Sequence, residues 1–300
     1  MELVSSRIVL VGEAMLELSR DGSGGWRMGH GGDTLNMAIH LARARLDVAY
    51  LTALGSDPFS AGLKTAMATE GLDTSLVLTH PVRGAGLYAI TTDDHGERSF
   101  TYWRDASAAR EMFALPAMAE ARDIAARADL LAYSLISLAV LPDAGREALL
   151  LLAEEVRRKG GQVAFDGNYR PRLWADAATA QYWRDRAIAR ADIGLPTLED
   201  ETALSGEASA DAVAAHWQGL GCSETLVKLG AAGCRLPDGA VVAPANVLQP
   251  VDTSGAGDAF NGGYLAARLA GEAPAAAART GHATAAWTIM RPGAIPPRDS

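Results

Sequence analysis

Short β-branched runs alternating with helix-length amphipathic stretches constrain this chain more than any other feature. Residues 8–11, IVLV, are closed by Gly12 and read as a buried strand. DTLNMAIHLARARL follows, with Leu35, Ile39 and Ala42 on one helical face and Asp33 in the position of an N-cap. The pairing repeats in VAYLTAL with 58–70, LLAYS with 143–159 and VAFD with 176–190, and TLVKL supplies a late strand. Residues 259–270 and 275–290 read as two Ala-rich helices. Such a chain buries its strands by forming a mostly parallel sheet with helices on both faces, a three-layer α/β sandwich.

One segment departs from the alternation. LYAITTDDHGERSFTYWR is two period-2 runs around the polar turn DDHG, the pattern of a β-hairpin. Alternate residues of a strand share a face, so Phe100, Tyr102 and Arg104 are expected on one side of it. The glycine-rich segment 13–30 can add strands to this hairpin. Segments 13–30 and 86–105 would then form a small β-sheet lid on a single domain spanning 1–300.

Composition excludes several classes of partner. The net charge of −9, from 27 Lys and Arg against 36 Asp and Glu, argues against a general nucleic-acid surface or an anionic-membrane patch. No apolar run reaches the roughly 20 residues that span a bilayer. Cys222 and Cys234 form no disulfide framework and read as small core residues in a reducing compartment. Glu13 and Glu17 interrupt the first apolar run, unlike a secretory leader, so the expected location is the cytoplasm.

Familiar catalytic motifs are missing. The three lysines, Lys64, Lys159 and Lys228, follow Leu63, Arg158 and Val227, so the Gly-Lys of a P-loop does not occur. No Gly-x-Gly-x-x-Gly follows the first strand, and neither Gly-x-Ser-x-Gly nor His-Glu-x-x-His is present. DTSGAGDAF at 252–260 carries chemistry instead. Gly255 and Gly257 let successive backbone N–H groups of Gly255, Ala256 and Gly257 converge on an anion, and the following helix adds its positive N-terminus. Asp258 at the lip of that hole could accept a proton from a hydroxyl attacking a phosphoryl group. The competing reading makes Asp258 only a helix cap after a glycine turn.

DTSGAGDAF resembles the C-terminal signature of the ribokinase-like PfkB carbohydrate kinases, and GGDTLN at 31–36 resembles their N-terminal sugar-binding signature. VKLGAAG at 227–233 resembles their nucleotide-site strand and turn, and LPTLEDETALSG stands at the place of their Asn-x-x-Glu region. GEAMLEL, YWRDASAA and FDGNYRPRLW are similar to the 2-keto-3-deoxygluconate kinases in particular, and Met15 and Glu17 replace the Asn and Asp of relatives that bind neutral sugars. The resemblance implies a ribokinase-like fold, ATP and Mg²⁺ as cofactors, and a small sugar acid as substrate. It implies substrate contacts from Gly32, Asp33, Asn36, Tyr88, Tyr102, Arg104 and Arg170, with the two arginines meeting the carboxylate. Asn168, Thr197, Lys228, Gly230 and Gly233 would border ATP. Asp200 would serve Mg²⁺ through water, and Asp252 a monovalent cation such as K⁺.

Bland alternatives stand beside these roles: surface ion pairs for the arginines, a solvated side chain for Lys228, hairpin packing for Tyr88 and Tyr102, loop support for Asp252. Thr197 and Asp200 replace the usual Asn and Glu, and Gly167 stands where relatives often carry proline. A fructokinase-type activity on neutral ketoses and a non-catalytic sugar-acid sensor are the competing functions. Relatives associate through their lids, and the aromatic content of 87–103 is compatible with a homo-oligomer of that kind.

Overall fold

The computed structural model describes residues 7–20, 24–92 and 98–298; the DDHG turn lies outside them. A seven-stranded sheet forms the centre, in the order Glu224–Thr225, Ile193–Gly194, Gln162–Asp166, Leu130–Ser134, Arg7–Val11, Asp47–Leu54, Val77–Thr79. Every pairing within it is parallel. Burial on both faces explains the unbroken apolar runs. Val9 and Val11 point into one core with Leu131, Tyr133 and Phe165, whereas Ile8 and Leu10 point into the other with Tyr50, Leu130 and Tyr264. The first core is covered by helices that include Asp143–Arg158 and Ala177–Ile188, the second by Asp33–Arg43 and Ala256–Leu269.

A second sheet of four strands runs in the order Trp26–Gly31, Met15–Arg20, Gly86–Thr92, Arg98–Trp103. The central pair is parallel and the outer pairs are antiparallel. Tyr88 lies opposite Tyr102 in the register, and Glu17 opposite Tyr88, so these three share one face. Leu16, Leu18, Met28 and Trp103 occupy the other face.

Two local expectations are corrected. TLVKL is not one strand: Glu224–Thr225 joins the large sheet and Val227–Lys228 begins a separate three-stranded sheet. Asp33 is not the N-cap of its helix. That position falls to Gly32 at φ 143°, where a Cβ would lie 2.4 Å from the Glu13 carbonyl oxygen. The strand ahead of Arg104 ends at Trp103, yet Arg104 still falls on the side of Phe100 and Tyr102, and all three line one cavity. Both cysteines are buried and free, as expected of core residues.

Candidate active site

A cavity of about 810 Å³ opens at the carboxyl ends of the central strands. It lies where strand order reverses around Arg7–Val11, the usual ligand position in an open parallel sheet. Gly32, Asp33, Asn36, Tyr88, Tyr102, Arg104, Asn168, Arg170, Thr197, Asp200, Lys228, Gly255, Ala256, Gly257 and Asp258 all line it. These residues come from segments more than two hundred positions apart. Gly230 and Gly233 lie instead in the turn after Lys228, and Asp252 faces a separate cavity of about 140 Å³.

The helix Ala256–Leu269 starts two residues before Asp258, so Asp258 is in its first turn and does not cap it. Gly255 is the cap residue, left-handed at φ 70°, and a Cβ there would press within 2.8 Å of Ala294. The Ala256 N–H reaches the Thr253 carbonyl at 3.3 Å. The next first-turn amides, of Gly257 and Asp258, have no intrahelical carbonyl available, and a phosphoryl oxygen would suit them. The Asp258 carboxylate is 9% exposed and accepts a 2.8 Å hydrogen bond from Asn36 Nδ2. Burial, reinforced by the charges of Asp33 and Asp166, pushes its pKa up to about 8, against the opposing pull of Asn36 and Lys228. Asp33 is raised by its own burial and accepts from Asn168 Nδ2 at 3.2 Å.

Lys228 is not a solvated side chain. At 8% exposure its Nζ donates to Asp166 Oδ1 at 3.0 Å and to Asn261 Oδ1 at 3.1 Å, while Asn261 Nδ2 donates to Asp166 Oδ2 at 3.0 Å. This closed triangle holds the ammonium beside Gly257, where a Cβ would lie 3.8 Å from Nζ. Asp166 and Asn261 escaped the motif reading. The available signals were an acid ending a strand at the ligand-binding edge and a polar residue three positions after Asp258 on an otherwise apolar helix face.

On the opposite wall Tyr88 and Tyr102 lie 5.9 Å apart between ring centroids, and Phe100 stacks on Tyr102 at 6.3 Å. The Tyr88 hydroxyl bonds to Glu17. Arg104 is buried, pairs with Glu13 and sits 5.8 Å from the Tyr102 ring. Glu13 was another omission; burial raises its carboxyl pKa against the opposing charge of Arg104. Arg170 differs, with half its side chain exposed and Nη1 at 2.9 Å from Asp200 Oδ1. Burial raises Asp200 as well.

The residues present suit a hydrated magnesium ion better than a protein-caged one. Among the described residues no group of three or more His, Cys, Asp or Glu is placed to hold a metal. Asp200 lines the cavity as a single hard-oxygen donor, and Mg²⁺ retains several waters. At Asp252 both oxygens already accept backbone bonds, from Ser254 N at 2.9 Å and Gly293 N at 2.7 Å, which brace the loop before Gly255.

Residues 5–300 match the family model described as pfkB family carbohydrate kinase. The chain is 43% identical to the 2-dehydro-3-deoxygluconokinase of Escherichia coli K12, over 99% of each chain. Its structure resembles a PfkB protein from Polaromonas sp. JS666 at a TM-score of 0.82 and 28% identity, over 94% of each chain. It also resembles a Vibrio cholerae fructokinase bound to fructose, ADP and a calcium ion, at a TM-score of 0.82 and 26% identity over 97% of this chain and 95% of that one. Among the described residues no helix is long and apolar enough to cross a membrane. A ribokinase-like sandwich, a first-turn aspartate beside unpaired amides, and a family match along the chain lead to one conclusion: this protein belongs to the pfkB family of carbohydrate kinases.

Proposed function

We propose that the protein transfers the γ-phosphoryl group of ATP to the primary hydroxyl of 2-keto-3-deoxygluconate, giving 2-keto-3-deoxy-6-phosphogluconate and ADP. The observation that carries this reading is the placement of Asp258 and the Gly255–Gly257 turn across one cavity from Arg104. The similarity to a 2-dehydro-3-deoxygluconokinase over 99% of the chain supports the same substrate.

Asp258 accepts the proton of the substrate hydroxyl as that oxygen bonds to the γ-phosphorus and the bond to the β-phosphate oxygen breaks, the electron pair leaving with ADP. Asn36 orients the receiving carboxylate through its 2.8 Å bond. The first-turn amides of Gly257 and Asp258 meet charge developing on the phosphoryl oxygens, and Lys228, fixed by Asp166 and Asn261, adds positive charge alongside. Magnesium, held by the phosphates, by water and through water by Asp200, supplies charge neutralisation when bound. Gly32 and Asp33 contact the sugar hydroxyls. Tyr88, Tyr102 and Arg104 close over the sugar acid from the small sheet, with Arg104 and Arg170 toward the carboxylate, and exclude water from the reacting atoms. Asn168 and Thr197 face the nucleotide side. Asp252 braces the loop that carries the anion hole, and a monovalent cation such as K⁺ would bind beside it.

We also propose that copies associate through the small sheet, because Trp26, Met28 and Trp103 stand exposed on the face turned away from Tyr88 and Tyr102. A coupled ADP-release assay tests the activity, comparing 2-keto-3-deoxygluconate, its galactonate epimer, fructose and ribose with MgATP. Turnover confined to the keto acids is expected. Turnover on fructose would overturn the carboxylate site, and silence on all four would favour a sensor.

A further inference from the structure

Glu13 is a buried carboxylate inside the cavity that the reaction scheme above does not use. It lies between the strand Arg7–Val11 and the first strand of the small sheet, with its side chain 1% exposed. Arg104, 8% exposed in its side chain, begins the return from the last strand of that sheet. The two remaining crossings also close around Glu13. A Cβ on Gly86, which opens the third strand in sequence, would come within 2.7 Å of Glu13 Oε1. At Gly32, just after the second strand, a Cβ would meet the Glu13 carbonyl oxygen. Glu13 forms one of the four connections between the two sheets and the other three pack against it, two of them without side chains that would fill its space.

Charge accounts for what this residue does there. An arginine so buried needs an anion beside it, and without Glu13 its guanidinium could be drawn toward any acid in the cavity. The contact is an ion pair that leaves hydrogen-bonding capacity on both sides: Arg104 Nε and Nη2 and both Glu13 carboxylate oxygens are buried with no hydrogen-bond partner, so donors remain for an anionic ligand.

Building on the sugar-acid reading above, we propose that Glu13 is a positioning residue: its carboxylate fixes the guanidinium of Arg104 at the junction of the two sheets, aimed at the substrate carboxylate. Selectivity for an acid then depends on Glu13 through Arg104, and nucleotide binding does not.

Steady-state kinetics of Arg104→Ala, Glu13→Gln and the double variant, with 2-keto-3-deoxygluconate and with ATP varied in turn, test this. Glu13→Gln is expected to raise KM for the sugar acid about tenfold, the scale of one charge-assisted contact, with KM for ATP unchanged. In the Arg104→Ala background it is expected to add little, because there is no guanidinium left to aim. A comparable loss in both backgrounds, or equal losses in both KM values, would mean a general structural role and overturn the inference. If Arg104→Ala itself leaves KM for the sugar acid intact, the carboxylate reading falls. If Arg104→Ala raises KM and Glu13→Gln does not, that reading stands and the role of Glu13 falls. Should Glu13→Gln fail to fold, Gly86→Ala displaces the same carboxylate by steric pressure and is expected to raise KM for the sugar acid selectively; an unchanged KM in that variant would overturn the inference.

Discussion

The two walls of the cavity are built differently. The wall that we assign to the phosphoryl group consists of side chains buried at strand ends and on helices: Asp258, Asp166, Lys228, Asn36 and Asn261 are each at most 9% exposed, held in an Asn36–Asp258 pair and a Lys228–Asp166–Asn261 triangle by hydrogen bonds of 2.8–3.1 Å. The wall that we assign to the sugar is a thin four-stranded sheet on which Tyr102 is 45% and Phe100 37% exposed. Tyr88, at 8%, and Arg104 and Glu13, where the walls join, are its buried members. Phosphoryl transfer is the same chemistry for any acceptor and rewards rigid charge placement. Acceptor choice calls for a surface that admits a ligand and then covers it, so half-exposed aromatics suit that wall.

Variants can break this contrast. Asp258→Asn is expected to have the largest effect, lowering kcat by about 10²–10⁴ while sugar-acid binding by calorimetry stays nearly unchanged, since a general base is lost and a binding surface is kept. Lys228→Met strands Asp166 in the interior and should lower unfolding free energy in urea by about 3 kcal/mol. If that variant is as stable as the parent, the triangle is not a rigid unit.

On the other wall Arg104→Ala should raise KM for the sugar acid and cost kcat/KM about 2 kcal/mol, with thermal stability less affected. Arg170→Ala should cost less, about 1 kcal/mol, because solvent already screens half of that side chain.

The pH dependence separates the walls as well. Asp258 must lose its proton to act, so kcat/KM should rise with pH through about 8. Stability runs the opposite way. A folded pKa of about 8 above the ordinary 3.8 means that the native state holds a proton the unfolded chain releases, so stability falls as pH rises between these values. Asp258→Asn removes that slope and is expected to melt higher than the parent at pH 8; a lower Tm there would show that the ionised carboxylate is supported by its partners rather than strained.

Much of the fold was legible because its signals are local. Period-2 burial and helical spacing are properties of neighbouring residues, and a fully buried parallel strand reads as an unbroken apolar run wherever it lies in the sheet. Glycine before Asp258 was legible for the same reason, because a left-handed φ at Gly255 is a local demand. The split of TLVKL was not legible, since which of two sheets a strand joins depends on partners elsewhere in the chain.

The sequence by itself determined the parallel sandwich and the glycine turn before Asp258, and it named most of the residues that line the cavity, though not Glu13 or Asp166, nor the Asn261 that binds Asp166. The tertiary structure decided their charge states and alliances: that Lys228 is buried against Asp166, that Asp258 is raised by burial and then by Asp33 and Asp166, that Arg104 pairs with Glu13. Charge interactions depend on distance and on exclusion of water, and both are fixed only when segments far apart in the chain are brought to the same strand ends.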